Sequence, residues 1–353
     1  MRNITHSTRG IALVSILMMA TAGLALHTAP LRAQSLASRV QAAGANATVS
    51  FTYPTRQGVC GDGEGIIARR GTGDDFSIIQ TEGNGDRTIN ISSKGKRNSR
   101  DEIMERCVDG PARVELSRNG GSFSRIGVTV GGSRSASLGT VSAQEAVAYL
   151  LAVAETAPHK VGTRALFAAY IADAPTEYVT SLIALTRRTS IDRDVRKDAV
   201  FWLSQTDDAR AVPRLNEILR DRGEDIEVRK SSIFGLSQQE GDASVQTLID
   251  AAKNLDRKEL RQDAIFWLGQ KAADRATEGL KSVLADDSEE LEVRESALFA
   301  LSQQKSDQAF DALVNVAKTS REPELRRTAL FWLGQRGDDP RVLALFESIL
   351  FKK

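Results

Sequence analysis

The chain has 353 residues, more than one hydrophobic core usually spans, so at least two structural regions are expected. Its 47 Lys and Arg balance 46 Asp and Glu, with neither a basic excess nor a basic stripe, which argues against nucleic acid as a partner. The abundant charges read as a solvated surface.

Residues 1–33 read as an export signal. Arg2 and Arg9 provide a positive start, and Ile11 to Leu26 is an apolar run. The run is short of the about 20 apolar residues that a membrane span requires. Leu31-Arg32-Ala33-Gln34 offers cleavage after Ala33, although Leu31 stands where a small residue is usual. No Cys lies nearby, which argues against a lipid-anchored lipoprotein. An uncleaved signal anchor is the alternative, and it leaves the same mature regions outside the membrane. The expectation is a periplasmic or secreted protein with no membrane span in its mature part.

Export colours the reading of Cys60 and Cys107, the only cysteines. An even pair in an oxidising compartment reads first as a disulfide. On the chain-entropy account, closing such a loop stabilises by roughly 4 kcal/mol. A metal pair or a reactive thiol is the competing reading, but no His lies between or near them.

Residues 34–46 are small and polar and read as a linker. From 47 to 141 the texture is β. Val49-Ser50-Phe51-Thr52-Tyr53, Phe76-Ser77-Ile78-Ile79, Thr88-Ile89-Asn90-Ile91, Ala112-Arg113-Val114-Glu115-Leu116 and Ile126-Gly127-Val128-Thr129-Val130 alternate with Gly- and Asp-rich turns. That pattern predicts a small antiparallel sheet or barrel, with Gly120-Gly121 as a hairpin turn. Gly61, Gly63 and Gly65 read as turn residues, since they do not open a helix after a strand as a phosphate loop must.

At Ser142 the pattern changes. Ser142-Ala143-Gln144-Glu145 is a capping box, and helical periodicity runs from there to residue 353. Within it five blocks recur: VRKDAVFWLSQ from Val195, VRKSSIFGLSQ from Val228, LRQDAIFWLGQ from Leu260, VRESALFALSQ from Val293 and LRRTALFWLGQ from Leu325. Successive starting numbers differ by 33, 32, 33 and 32. Each block is followed by a polar turn and a second amphipathic segment, so each unit is helix A, turn, helix B, with units starting near 193, 226, 258, 291 and 323. One helical hairpin cannot bury its apolar face, whereas a stack of them can. A longer period overlies this one. Trp202, Trp267 and Trp332 recur at every second block, and the intervening units carry Gly235 and Ala300 at that place. Large beside small on neighbouring helices suits close packing, which makes the three Trp structural.

These units resemble HEAT-type repeats, specifically the short class also found in phycobilisome-lyase-like proteins, and the FWLGQ and FxLSQ endings look like those of HEAT proteins exported by bacteria. The resemblance rests on the Val/Leu-Arg pair opening helix A, the following Ala and Leu (Ala199 and Leu203 in the first unit), and the Gly/Asp-rich turn. It covers about residues 161–353. It implies a right-handed superhelix of paired helices that binds other macromolecules. Val161-Gly162-Thr163-Arg164-Ala165-Leu166-Phe167 looks like a degenerate first unit, so residues 142–190 are expected to cap the stack. The fold class is therefore α+β: a small antiparallel β domain followed by an all-α HEAT-like solenoid.

On a helical wheel, Arg196, Arg229, Arg261, Arg294 and Arg326 lie beside the buried arc. There they are expected to bond helix ends or acids of the adjoining unit. Phe201, Phe234, Phe266, Phe299 and Phe331 fall opposite that arc. Gln205, Gln238, Gln270, Gln303 and Gln335 are their i+4 neighbours, and Phe167 adds a sixth ring. One ring per repeat predicts an apolar stripe for a protein partner. The alternative is that each ring folds sideways against the next helix A, or that the β domain covers part of the row.

Enzyme chemistry has little support. His6 and His27 lie in the signal, leaving His159 for any Ser-His-Asp, Cys-His or zinc arrangement. A two-carboxylate hydrolase remains open, but Asp62, Glu64, Asp74, Asp75 and Asp86 sit in Gly-rich segments where Asp normally shapes turns. Their spacing does not match a calcium loop of the EF-hand type. No metal or cofactor is expected. The reading is a non-catalytic scaffold holding a protein partner, the identity of which the residues do not disclose. The alternative is an envelope enzyme or carbohydrate-binding protein with its site in the β domain.

Overall fold

Strand alternation places Val49, Phe51 and Tyr53 inward on β1 (Thr48–Tyr53), and all three are buried. The computed structural model describes residues 34–63, 65–69, 76–82, 85–91, 107–132, 134–271, 274–337 and 339–351; the expected export segment, residues 1–33, lies outside them. β1 pairs antiparallel with β7 (Ala112–Asn119), which pairs with β8 (Ser122–Val130). Gly120 and Gly121 form the two-residue turn between β7 and β8 with φ of +59° and +87°, the left-handed geometry that favours glycine.

A second sheet has the order β5-β4-β3-β2-β6. Its strands are β2 (Val59–Gly61), β3 (Gly65–Arg69), β4 (Phe76–Glu82), β5 (Gly85–Ile91) and β6 (Val108–Asp109). The turn assignment for Gly61 and Gly65 is corrected here, because both lie in strands. Cys60 pairs with Ile67, and the buried run Ile66-Ile67-Ala68 forms a strand that alternation alone does not reveal. Cys60 is disulfide-bonded to Cys107, across 47 residues of chain, which fastens β2 to the start of β6.

The segment expected as a linker instead contains α1 (Leu36–Ala42), whose Leu36 and Val40 are buried at i, i+4 spacing. Its start is held by the helical region. Leu36 N–H donates to Glu145 Oε1 at 2.5 Å, and Arg39 pairs with the same carboxylate at 3.7 Å. Half of the predicted capping box forms, with Ser142 Oγ accepting from Glu145 N–H on α2 (Ala143–Thr156). The Glu145 side chain serves α1 rather than reaching back to residue 142.

Helices α3 (His159–Tyr170) and α4 (Pro175–Thr186) form the degenerate first pair. Five A/B pairs follow: α5 (Arg193–Ser204) with α6 (Ala211–Arg220), α7 (Ile226–Gln238) with α8 (Asp242–Asn254), α9 (Lys258–Gly269) with α10 (Asp274–Leu284), α11 (Leu291–Gln303) with α12 (Asp307–Thr319), and α13 (Pro323–Gly334) with α14 (Pro340–Leu350). Asp192 and Asp225 cap α5 and α7 by accepting first-turn N–H bonds. Gly235, standing where its neighbours carry Trp, shows why: a Cβ there would lie 3.1 Å from both Leu215 and Ser204 of the preceding unit.

The predicted boundary at residue 142 separates secondary-structure types but not cores. Residues 36–353 form one compact unit, and one apolar cluster runs from the sheets through the helices. Tyr53 Oη donates to the Ala168 carbonyl at 2.6 Å, Arg164 Nη1 to the Ile126 carbonyl at 3.0 Å, and Phe51 meets Tyr149 edge-on at 6.1 Å. Burial pushes the Tyr53 phenol well above its usual range and Tyr149 up to about 12. The three-stranded sheet thus packs against α2 and α3.

Candidate interaction surface on the A helices

Each Phe stands five positions after the Arg that opens its block, and this offset puts them on different sides of helix A. The arginines turn inward. Arg196 forms a two-pronged pair with Glu224, at 2.6 and 3.2 Å, and Arg261 does the same with Glu289 at 2.9 Å. Arg229 and Arg294 donate Nε to the Leu219 and Leu284 carbonyls that end the preceding B helices, and each adds one bond to Asp256 or Asp287. Arg326 donates to the Ser320 carbonyl, the counterpart of the Leu255 carbonyl bound by Arg261. All five guanidiniums therefore tie turns and helix ends.

The phenylalanines turn outward to different degrees. Phe167 is 5% exposed and packs on Trp202 at 5.5 Å, so it does not extend the row. Phe201 and Phe234 are half-buried and stacked, with centroids 6.1 Å apart and planes 8° apart. Phe266, Phe299 and Phe331 are 46%, 38% and 56% exposed. The row is thus closed at its N-terminal end and open over its last three members.

The tryptophans belong to this row as well as to the core. Trp202 is buried, whereas Trp267 and Trp332 are half-buried. Trp267 lies between Phe234 (4.9 Å) and Phe266 (5.1 Å), and Trp332 between Phe299 (5.1 Å) and Phe331 (5.0 Å). Each Trp is therefore an edge-on or tilted support for the Phe of its own unit and of the unit before. The recurrence of Trp at every second block carries that signal, but it identifies the supported rings only once the helices are stacked.

The glutamines play a more local part than the stripe reading assigned to them. Gln205, Gln238 and Gln303 each donate Nε2 to the preceding serine hydroxyl at 3.1 Å. Those serines donate in turn to the Phe201, Phe234 and Phe299 carbonyls at 2.6 Å. The Ser-Gln ending is thus a C-terminal clasp on helix A. Gln270 and Gln335, which follow glycine, are exposed.

Between Phe266 and Phe299 the rings part, leaving an open cleft of about 440 Å³ lined also by Gln262, Glu292, Glu295 and Ser296. Gln262 bridges to the Glu292 carbonyl and the Ser296 hydroxyl at 3.3 and 3.1 Å. Asp263, beside Gln262, is half-buried, and burial holds its carboxyl above the ordinary carboxylate value, with Lys230 opposing. Sequence reasoning missed these acids because charge on a helix surface reads as solvation until a neighbouring helix partly covers it.

Elsewhere, His159 Nε2 lies 3.1 Å from Asp198 Oδ2, which also accepts from Thr163 Oγ1 at 2.5 Å; this joins α3 to α5. Of the acids in the β region, Asp62 is exposed and Asp86 lies in β5 rather than in a turn, while Glu64, Asp74 and Asp75 lie outside the described residues. Among the described residues no group of three or more His, Cys, Asp or Glu is placed to hold a metal, and no helix is long and apolar enough to cross a membrane.

Comparison with protein families matches a model described as HEAT repeats to residues 179–269, 245–331 and 277–352. The match begins within α4, later than the start near residue 161 that the sequence resemblance suggested. No curated protein matches the chain. Among solved structures, human deoxyhypusine hydroxylase in complex with glycerol is similar at 16% identity and a TM-score of 0.33, covering 56% of this chain and 98% of that one. The complex of CpcE and CpcF of phycocyanin lyase from Nostoc is similar at 20% identity and a TM-score of 0.31, covering 55% of this chain and 76% of that one.

Proposed function

We propose, from the premise that residues 179–352 are HEAT repeats, that this chain is an exported, non-catalytic scaffold that holds a protein partner on its A-helix face. One observation carries the reading: Phe266, Phe299 and Phe331, on three consecutive A helices, all remain more than a third exposed. Each of these three rings left in water forgoes burial worth about 25 cal/mol per Å², and apolar side chains grouped on one face, rather than scattered singly, mark an interaction site. Support for the rings by Trp267 and Trp332 keeps them presented rather than collapsed. The Cys60–Cys107 disulfide favours an oxidising compartment, periplasmic or extracellular, in line with the export reading of residues 1–33.

The test uses the full chain in its own cells. A photo-crosslinking residue at exposed Gln335, beside Phe331, should attach to a defined protein. Replacing Phe266, Phe299 and Phe331 with Ala should abolish that product while helical circular dichroism is retained. An undiminished product from the folded triple variant would refute this surface as the binding face.

A further inference from the structure

The two aromatic clefts related by the two-repeat step are chemically opposite, and the difference selects a ligand. In the first, Phe201 and Phe234 stack, and the flanking cations are already satisfied: Lys197 pairs with Asp194 at 3.6 Å and Lys230 with Glu227 at 3.3 Å. One step along, Lys197 is replaced by Gln262 and Lys230 by Glu295. Phe266 and Phe299 form no ring contact with each other; each leans on a Trp, leaving the cleft open between them. Glu295 is half-buried, and among the described residues it takes part in no hydrogen bond or ion pair. Glu292, one turn before Glu295 on the same helix, has only a distant cation, Lys258 at 3.8 Å. Two ring faces and an uncompensated carboxylate in one recess favour a cation on an apolar stem, because the rings attract it by their quadrupoles and the carboxylate by its charge.

We infer that the Phe266–Phe299 cleft receives an arginine or lysine side chain of the protein partner, its stem against the rings and its charge on Glu295. This rests on the partner-binding reading of the A-helix row. It makes that row selective, since at the equivalent site two repeats earlier Phe201 and Phe234 stack on each other and Lys230 stands in place of Glu295.

The experiment titrates the full chain with a blocked penta-arginine peptide and with its neutral penta-citrulline counterpart, by calorimetry at low and moderate salt. Penta-arginine should bind and penta-citrulline should not. Glu295→Gln should weaken penta-arginine about tenfold, Glu295→Lys should abolish binding, and Glu177→Gln on exposed α4 should change nothing. Because Phe266→Ala could disturb packing, Phe266→Leu provides the ring test and should also weaken binding. Equal binding of the two peptides, or equal losses from Glu295→Gln and Glu177→Gln, would overturn the assignment. The partner crosslink separates the two levels. Its loss in the triple Phe variant but survival in Glu295→Lys would leave the scaffold reading intact and remove this one.

Discussion

Arg196 and Glu224 form a two-pronged ion pair inside the first full repeat, with side chains only 7% and 6% exposed, and Arg261 with Glu289 repeats it two units along. In the alternate units Arg229 and Arg294 donate Nε to helix-end carbonyls and make a single-pronged pair with Asp256 or Asp287. The polar bonds thus alternate in step with the tryptophans, and the structural unit of this solenoid is two helical pairs.

A charge left buried after its partner is removed costs about 3–5 kcal/mol, more than the pair itself contributes. Glu224→Leu and Arg196→Met should each lower stability by an amount near that range. The double Arg196→Met, Glu224→Leu should recover most of it. Urea unfolding followed by helical circular dichroism checks this; a double variant as weak as the sum of the singles would show that the pair acts independently of its burial.

Gly131 stands at the crossing of the two sheets with φ of +82°, and a Cβ there would lie 2.1 Å from the Gly61 carbonyl oxygen. Next to it, Gly63 N–H donates to the Val130 carbonyl at 2.8 Å. Gly131→Ala should therefore cost at least about 2 kcal/mol from strain and from separation of the sheets. Gly139→Ala, which shares the positive φ but meets nothing within 4 Å, should cost less. Thermal unfolding of the two variants compares strain with and without the clash.

The repeats are legible in the sequence because their signal is redundant: each of five blocks carries the same Arg and Leu, so a single substitution does not hide the period. Strands are legible where alternation is sustained, as from Val49 to Tyr53. They escape notice at Val59–Gly61 and Gly65–Arg69, where neighbouring glycines look like turns. Helical phase finds the Phe row but not its division into a closed and an open part. That division depends on which residues of the adjacent helix approach, Lys230 in one cleft and Glu295 in the other. Equally hidden is the docking of α1 through Glu145, a contact across 109 residues.

Asp263 gives a pH dependence whose sign can be stated. Burial raises its carboxyl above the ordinary value, Lys230 lowers it, and Glu227 and Glu259 raise it further. The folded state then binds its proton more readily than the unfolded chain. The stability linked to this group is fully present below the unfolded carboxylate value and is lost as pH rises through the folded one. At neutral pH the ionised form is a standing penalty. Asp263→Asn should raise the melting temperature at pH ~7, and the gain should shrink as pH falls toward the acidic carboxylate range near pH ~4. A variant that melts lower at neutral pH would mean that the ionised side chain has a stabilising partner instead.

The open part of the aromatic row should be cheap for the fold, whereas the closed part should not. Phe234 stacks on Phe201 and meets Trp267 edge-on, so Phe234→Ala removes packing on two sides and should cost about 2 kcal/mol. Phe331, 56% exposed, touches Trp332 on one side, and its truncation should cost under about 1 kcal/mol. Its loss should still uncover Trp332 and shift that indole's fluorescence to longer wavelength, which reports the ring's place without relying on stability. If Phe331→Ala were as damaging as Phe234→Ala, the exposed rings would be holding the stack together. Their presence in three consecutive repeats would then need no partner. A small cost for Phe331 beside a large one for Phe234 would leave the exposed rings without a folding role, which is the condition a binding surface has to meet.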